Sequence, residues 1–146
     1  MRTCWEESFL SYSPWCLTWF DSHRSDLGPT LDDRMSHGEY VWLAVDTEST
    51  TDGLLDLVGF AWAGVHLDAP TPLELESLYV RSRLHGTGLG QALMKTAIGD
   101  SPAYVMVYPD NARAKAFYRR NGFSPDGYLD DHRDEDPAYV LERWIR

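Results

Sequence analysis

The sequence predicts an α/β fold, and three observations carry that reading. Short segments rich in β-branched and aromatic residues recur along the chain, as in Tyr40–Val45 and Tyr104–Tyr108. A glycine-rich turn stands between a strand-like segment and a helical one at residues 73–98. Two further glycines, Gly99 and Gly122, sit where apolar residues at helical spacing stop. The predicted order is helices, then β-β-β-α-β-α-β, in one domain spanning residues 1–146 without a dividing linker.

Each element has its own signal. Trp5, Phe9 and Leu10 suggest a short amphipathic helix, and Trp15, Leu17, Trp19 and Phe20 a second apolar segment after Ser13-Pro14. Tyr40–Val45 is strand-like, Thr47–Gly53 is turn-forming, and Leu54–Leu67 reads as its antiparallel partner. Gly59 and Gly64 interrupt this partner and are expected to mark bulges. In Leu73–Val80, simple alternation places Glu74 and Glu76 on the face of Leu78 and Val80, with Leu75, Ser77 and Tyr79 opposite. A helix with Leu89, Leu93, Met94 and Ala97 as its buried stripe follows, and Gly99 ends it. After the short strand Tyr104–Tyr108, Asp110 is expected to cap a helix from Asn111 to Asn121 that Gly122 terminates. The tail reads as an acidic loop, with Asp126, Asp130, Asp131, Asp134, Glu135 and Asp136, before a final strand Tyr139–Ile145.

Bulk properties narrow the function. Apolar residues at 43% and charged residues at 25% are globular values. No apolar run approaches the roughly 20 residues that span a bilayer, and residues 1–20 lack the build of a signal peptide. A cytoplasmic protein without a membrane partner is the expectation. Cys4 and Cys16 are expected to be free thiols, and the histidines show no pair at metal-ligand spacing, so no metal is expected. A net charge of −10 disfavours nucleic acid. It suits either plain solubility or a cationic substrate.

The turn Gly86-Thr87-Gly88-Leu89-Gly90 puts bare backbone N–H groups at a helix N-terminus, where they and the helix dipole favour an anion such as phosphate. No Lys-Ser/Thr pair follows it, which excludes a P-loop. The G-x-G-x-G spacing also departs from the dinucleotide fingerprint.

Together, Glu74-Leu-x-x-Leu-Tyr-Val80, the glycine run Gly86-x-Gly-x-Gly90-x-x-Leu93 and Asn111-x-Arg-Ala-x-x-Phe-Tyr118-x-x-x-Gly-Phe123 resemble the GNAT family of N-acetyltransferases. The resemblance covers roughly Glu39 to Phe123 in order. It implies a mixed, mostly antiparallel central sheet with helices on both faces, and acetyl-CoA as donor with coenzyme A as co-product. It implies further that the loop from His85 through Gly86, Thr87, Gly88, Leu89, Gly90 and Gln91 surrounds the pyrophosphate. Leu78, Tyr79 and Val80 would pair with the pantetheine amides, and Asn111 would bond the same arm. Tyr118 would lie near the sulfur as the acid that protonates the leaving thiolate.

The reaction needs a base as well, because an amine with a pKa of about 10.4 is protonated at neutral pH. Glu74 matches a position where some relatives carry a glutamate. Glu76 shares its face, so either carboxylate, or water, could serve. The acceptor implied is a small-molecule amine; a protein lysine or N-terminus, or mere acyl-CoA binding, stay open as alternatives. The acidic loop is read either as solvated or as favouring a cationic acceptor.

Three departures from the family stand out. His85 replaces the usual Gln or Arg, and its ring either donates to phosphate or fills the loop. Ser82 replaces a common proline, which should loosen the turn. The usual first strand is missing or vestigial before Trp5, and an unpaired edge would invite a homodimer.

Overall fold

The computed structural model describes residue 7 and residues 27–51, 54–133 and 139–146. Helix α1 (Leu27–Ser36) leads into a hairpin of β1 (Tyr40–Thr51) and β2 (Leu54–Val65), followed by β3 (Leu73–Val80). A 3-10 turn (Ser82–Leu84) and α2 (Leu89–Ile98) connect β3 to β4 (Tyr104–Val107). Then come α3 (Ala112–Arg120), β5 (Ser124–Asp131) and β6 (Val140–Ile145). The six strands form one sheet in the order β1-β2-β3-β4-β6-β5. Among the described residues only the β3–β4 pair is parallel, and the other four pairs are antiparallel. This is the mixed, mostly antiparallel α/β architecture expected from the sequence.

One face of the sheet packs on α2 and α3. Ala61, Ala63, Leu75, Val80, Val105 and Val107 from the strands meet Leu93, Met94 and Ile98 of α2, with Tyr118 and Phe123 closing the cluster. Helix α2 presents Leu93, Met94 and Ile98 because spacings of one, four and five residues fall on one stripe. It stops at Gly99, whose φ of 57° is one that L-residues rarely adopt and whose N–H donates to Lys95 O. The opposite face carries Phe60, stacked on Tyr79 with ring centroids 5.2 Å apart. Trp62 lies there too, under the Arg34 guanidinium of α1.

Several expectations change. The segment read as an acidic loop contains a strand, β5, paired antiparallel with β6 at the sheet edge. Its side chains are nearly all exposed, so it lacks the apolar alternation by which a strand is recognised. Strand β1 runs on to Thr51, through the stretch read as a turn. Asn111, not Asp110, caps α3: its Oδ1 accepts from Ala114 N at 3.0 Å. A register shift places Val58, beside Gly59, as an extra residue opposite Ala44 and Val45. Gly64 marks no bulge; a Cβ there would collide with Glu76 Oε1. The N-terminal apolar helix, the missing first strand and any homodimer built on it lie outside the described residues.

The consequential shift is in β3. Trp62 pairs with Ser77 and Ala63 with Leu75, which leaves Glu76 as an extra residue. A bulge adds one residue and so inverts the alternation beyond it. Leu75, Leu78 and Val80 therefore all point into the α2 core. Glu74 and Glu76 lie on the other face with Tyr79. The expectation that the glutamates share a face with Leu78 and Val80 is wrong for this reason.

Candidate functional site

Strands β3 and β4 touch at a single register pair, Glu74 with Tyr104, and then diverge. A cavity of about 1170 Å³ fills the wedge, lined by Ser77–Val80 on one side and Val105–Tyr108 on the other. Among the described residues β3 and β4 pair at no other position, which leaves this space between them. A linear ligand with its own amides could pair there as a missing strand would.

At one end of the wedge lies the glycine turn. Gly86 and Gly88 have φ of 81° and 92°, a region L-residues rarely adopt. Gly88 begins α2 with no side-chain cap, so the first N–H groups of the helix are free to meet an anion. His85, Gly86, Gly88, Gly90 and Gln91 line the cavity; Thr87 and Leu89 do not. Thr87 Oγ1 donates to Leu84 O at 2.7 Å, and Leu89 packs against the core.

His85 is engaged within the protein. Arg113 Nη1 lies 2.7 Å from its Nδ1, and its Nε2 is 2.9 Å from Val80 O. Arginine can only donate, so Nδ1 accepts and the proton sits on Nε2, which donates to the carbonyl. The ring thus braces the end of β3, and both His85 and Arg113 line the cavity. Ser82 does not loosen its turn either. Its N–H donates to Glu7 Oε2 at 2.5 Å while Arg81 Nε donates to Oε1 at 2.6 Å, a tie that proline, lacking an N–H, could not make.

Midway along the wedge stand Asn111 and Tyr118. The Asn111 oxygen caps α3, which directs its NH₂ end elsewhere. Tyr118 is buried between Phe117 and Phe123, edge-on to both at 5.3 and 5.5 Å. The Phe123 N–H closes on Tyr118 O at 3.0 Å, with Gly122 at φ 87° making the turn. The end of α3 is thereby fixed beside the cavity that Tyr118 lines.

The far end is a carboxylate cluster. Tyr104 Oη donates to Glu74 Oε2, and Arg34 Nη2 donates to Glu76 Oε2. His66 Nε2 lies 3.0 Å from Glu76 Oε1 and 3.3 Å from Glu74 Oε2. Burial pushes the Glu74 carboxyl above the ordinary carboxylate range and outweighs the Tyr104 hydrogen bond; repulsion from Glu76 adds to the rise, against His66 and Arg34. The Tyr104 phenol is also pushed up, by burial and then by its bond to Glu74. The ligand atoms of His66, Glu74 and Glu76 lie within 4.8 Å of one another, as a metal would require. Hydrogen bonds from Tyr104, Arg34 and His66 also reach these carboxylates.

Sequence reasoning missed His66, Tyr104, Arg34 and Arg113, because strand pairing and helix packing bring them in from other segments. Of the acidic tail, Asp130 lines the cavity, as does Tyr139. Asp126 is held by Arg143 and Asp131 by Arg133, and Asp134–Asp136 lie outside the described residues.

Residues 2–123 match the model of the acetyltransferase (GNAT) family. A mycothiol acetyltransferase of Mycobacterium avium (strain 104) is 41% identical over 81 residues, covering 47% of this chain and 26% of that protein. The chain thus spans about a quarter of that relative's length. A putative acetyltransferase of the GNAT family from Desulfovibrio desulfuricans superposes with a TM-score of 0.67 at 18% identity, covering 99% of this chain and 88% of the other. A phosphinothricin acetyltransferase from Sinorhizobium meliloti, solved with acetyl-CoA, gives 0.61 at 17% identity over 84% and 68% of the two chains. Among the described residues, no helix is long and apolar enough to cross a membrane.

Proposed function

Since the chain belongs to the acetyltransferase (GNAT) family, we propose that it is a cytoplasmic enzyme that moves an acetyl group from acetyl-CoA to a primary amine of a small molecule. The observation that carries this reading is the continuity of one cavity from the glycine turn, past Tyr118, to Glu74 and Glu76. Coenzyme A enters with its pyrophosphate on the N–H groups of Gly86–Gly90 and with Arg113 as cation. Its pantetheine arm lies along Leu78–Val80, beside the NH₂ of Asn111. The thioester then reaches the wedge apex, where an N–H of that segment faces the developing oxyanion.

The acceptor arrives as an ammonium. Glu74 removes one proton, and the free amine attacks the thioester carbon in a ternary complex. The C–S bond breaks as Tyr118 gives its proton to the sulfur and takes one from the nitrogen of the adduct. The products are the amide, coenzyme A and the proton held by Glu74. Glu74 is favoured over Glu76 because Arg34 already donates to Glu76, whereas Glu74 is the buried carboxyl with raised proton affinity.

The mycothiol and phosphinothricin enzymes are named for small-molecule acceptors, which supports that class here. Glu74 and Asp130, with Tyr104 and Tyr139 as walls, suit a cationic acceptor. Calorimetry with acetyl-CoA, followed by thiol release with a panel of amines and of lysine-bearing peptides, tests the reading. Turnover with an amine supports it; turnover with peptides alone moves the acceptor to proteins. No acetyl-CoA binding refutes the assignment of the cavity.

A further inference from the structure

We propose that His66 is a positioning residue for acetyl transfer: its Nε2–H, shared between Glu74 and Glu76, holds the two carboxylates together in the ionised form that can take a proton from the acceptor. This rests on the reading of the cavity given above.

Two carboxylates on one strand face, with only 15% and 12% of their side-chain surface exposed, repel each other and favour sharing a proton. Three donors oppose that. Tyr104 serves Glu74 alone and Arg34 serves Glu76 alone. Among the described residues, His66 is the one whose ring nitrogen reaches both. Its Nε2 faces oxygens at 3.0 and 3.3 Å, and a lone pair aimed at two carboxylates would be repelled, so that nitrogen carries the hydrogen.

The local backbone is built for this contact. His66 follows the last residue of β2, and its own N–H bonds Pro72 O at 2.7 Å, closing the β2–β3 turn. Gly64 pairs with Glu74 across the strands. Any side chain there would strike Glu76 Oε1 and stand 3.4 Å from His66 Nε2. The bulge at Glu76 turns both carboxylates towards the imidazole. His66 itself keeps 42% of its side chain exposed and lines the cavity.

Among the described residues, these charged or titratable groups act on Glu74. Glu76 repels it from its own strand. His66, Tyr104 of β4 and Arg34 of α1 favour its ionised form, and Tyr139, itself beside Asp130, feels its charge. Removing the His66 donor leaves burial and Glu76 less opposed, so Glu74 holds its proton to higher pH.

The test is the pH dependence of kcat/KM at saturating acetyl-CoA for the wild type, His66→Ala and His66→Gln, with acetyl-CoA affinity measured in parallel. For His66→Ala the acid limb should move up by about one pH unit, a tenfold loss below the limb with the high-pH plateau largely kept. Acetyl-CoA affinity should be unchanged. His66→Gln, whose amide can donate in the same direction, should lie closer to the wild type than to His66→Ala. If His66→Ala does not fold, His66→Phe fills the ring volume without a donor and replaces it. An unmoved acid limb, or a Gln variant shifted as far as the Ala variant, overturns the proposal. So does a uniform loss at all pH values. A wild type that binds acetyl-CoA but acetylates no amine refutes instead the acetyltransfer reading, and this proposal with it.

Discussion

Arg34 is the cation of the carboxylate cluster, and replacing it with glutamine should cost stability in a pH-dependent way. Its Nε donates to Glu39 Oε1 at 2.9 Å, its Nη2 to Glu76, and its guanidinium carbon lies 4.3 Å from the Trp62 ring centroid. Breaking a buried ion pair costs about 3–5 kcal/mol. Here the guanidinium is 33% exposed, and Trp62 Nε1 and His66 still serve the carboxylates, so roughly half survives discounting. The lost cation–π contact adds about 0.5–1 kcal/mol. The sum is about 2–3 kcal/mol at pH 7, or roughly 5–10 °C in Tm for a chain of this size. Glutamine removes a cation that offsets carboxylate repulsion around the raised Glu74 carboxyl, so the deficit should shrink as pH falls. Urea unfolding of both proteins at pH 7 and pH 4, with equal m-values, reads this directly. A deficit equal at both pH values, or below about 0.5 kcal/mol at pH 7, would refute the electrostatic account of this cluster.

Glu74→Gln should lower kcat/KM at neutral pH by about 10²–10⁴ and abolish the acid limb of the pH profile. In the wild type that limb should lie above the ordinary glutamate range, because the Glu74 carboxyl is pushed up in the fold and activity is lost as pH falls through its raised value. Arg113→Ala should weaken acetyl-CoA binding by about tenfold, one charge-assisted contact, with kcat at saturation little changed. Gly59→Ala would set a Cβ 2.9 Å from Tyr79 O and 3.0 Å from Leu93 Cδ1. The backbone oxygen yields poorly, so urea unfolding should report a loss of about 1–3 kcal/mol.

The parts of the fold legible in the sequence were those set by local chemistry. Gly88 and Gly99 bracket α2, Gly122 ends α3, and the apolar spacing of Leu93 and Met94 marks the buried stripe, which the structure completes with Ile98 in place of Leu89 and Ala97. Strand β5 was hidden because it is an edge strand with exposed polar side chains, whose stability comes from pairing with β6 rather than from an apolar face. The face carrying Glu74 and Glu76 was misread because a bulge is a property of two paired strands. The cofactor end of the site follows from a contiguous motif. The carboxylate end draws on α1, the β2–β3 turn and β4, and neither His66 nor Arg34 stands near Glu74 in sequence. Its composition became visible only with the packing.

The assignment of Tyr118 as the acid of an acetyl-transfer site in the β3–β4 wedge is tested most directly by comparing the wild type with Tyr118→Phe. Acetyl-CoA affinity would be measured by calorimetry, and kcat by thiol release with the preferred amine. Phenylalanine keeps the buried packing against Phe117 and Phe123 and removes only the hydroxyl. The account predicts an affinity unchanged within about twofold and a kcat lower by about 10²-fold or more. A variant that turns over like the wild type, or one that loses affinity while kcat at saturation is kept, would contradict it.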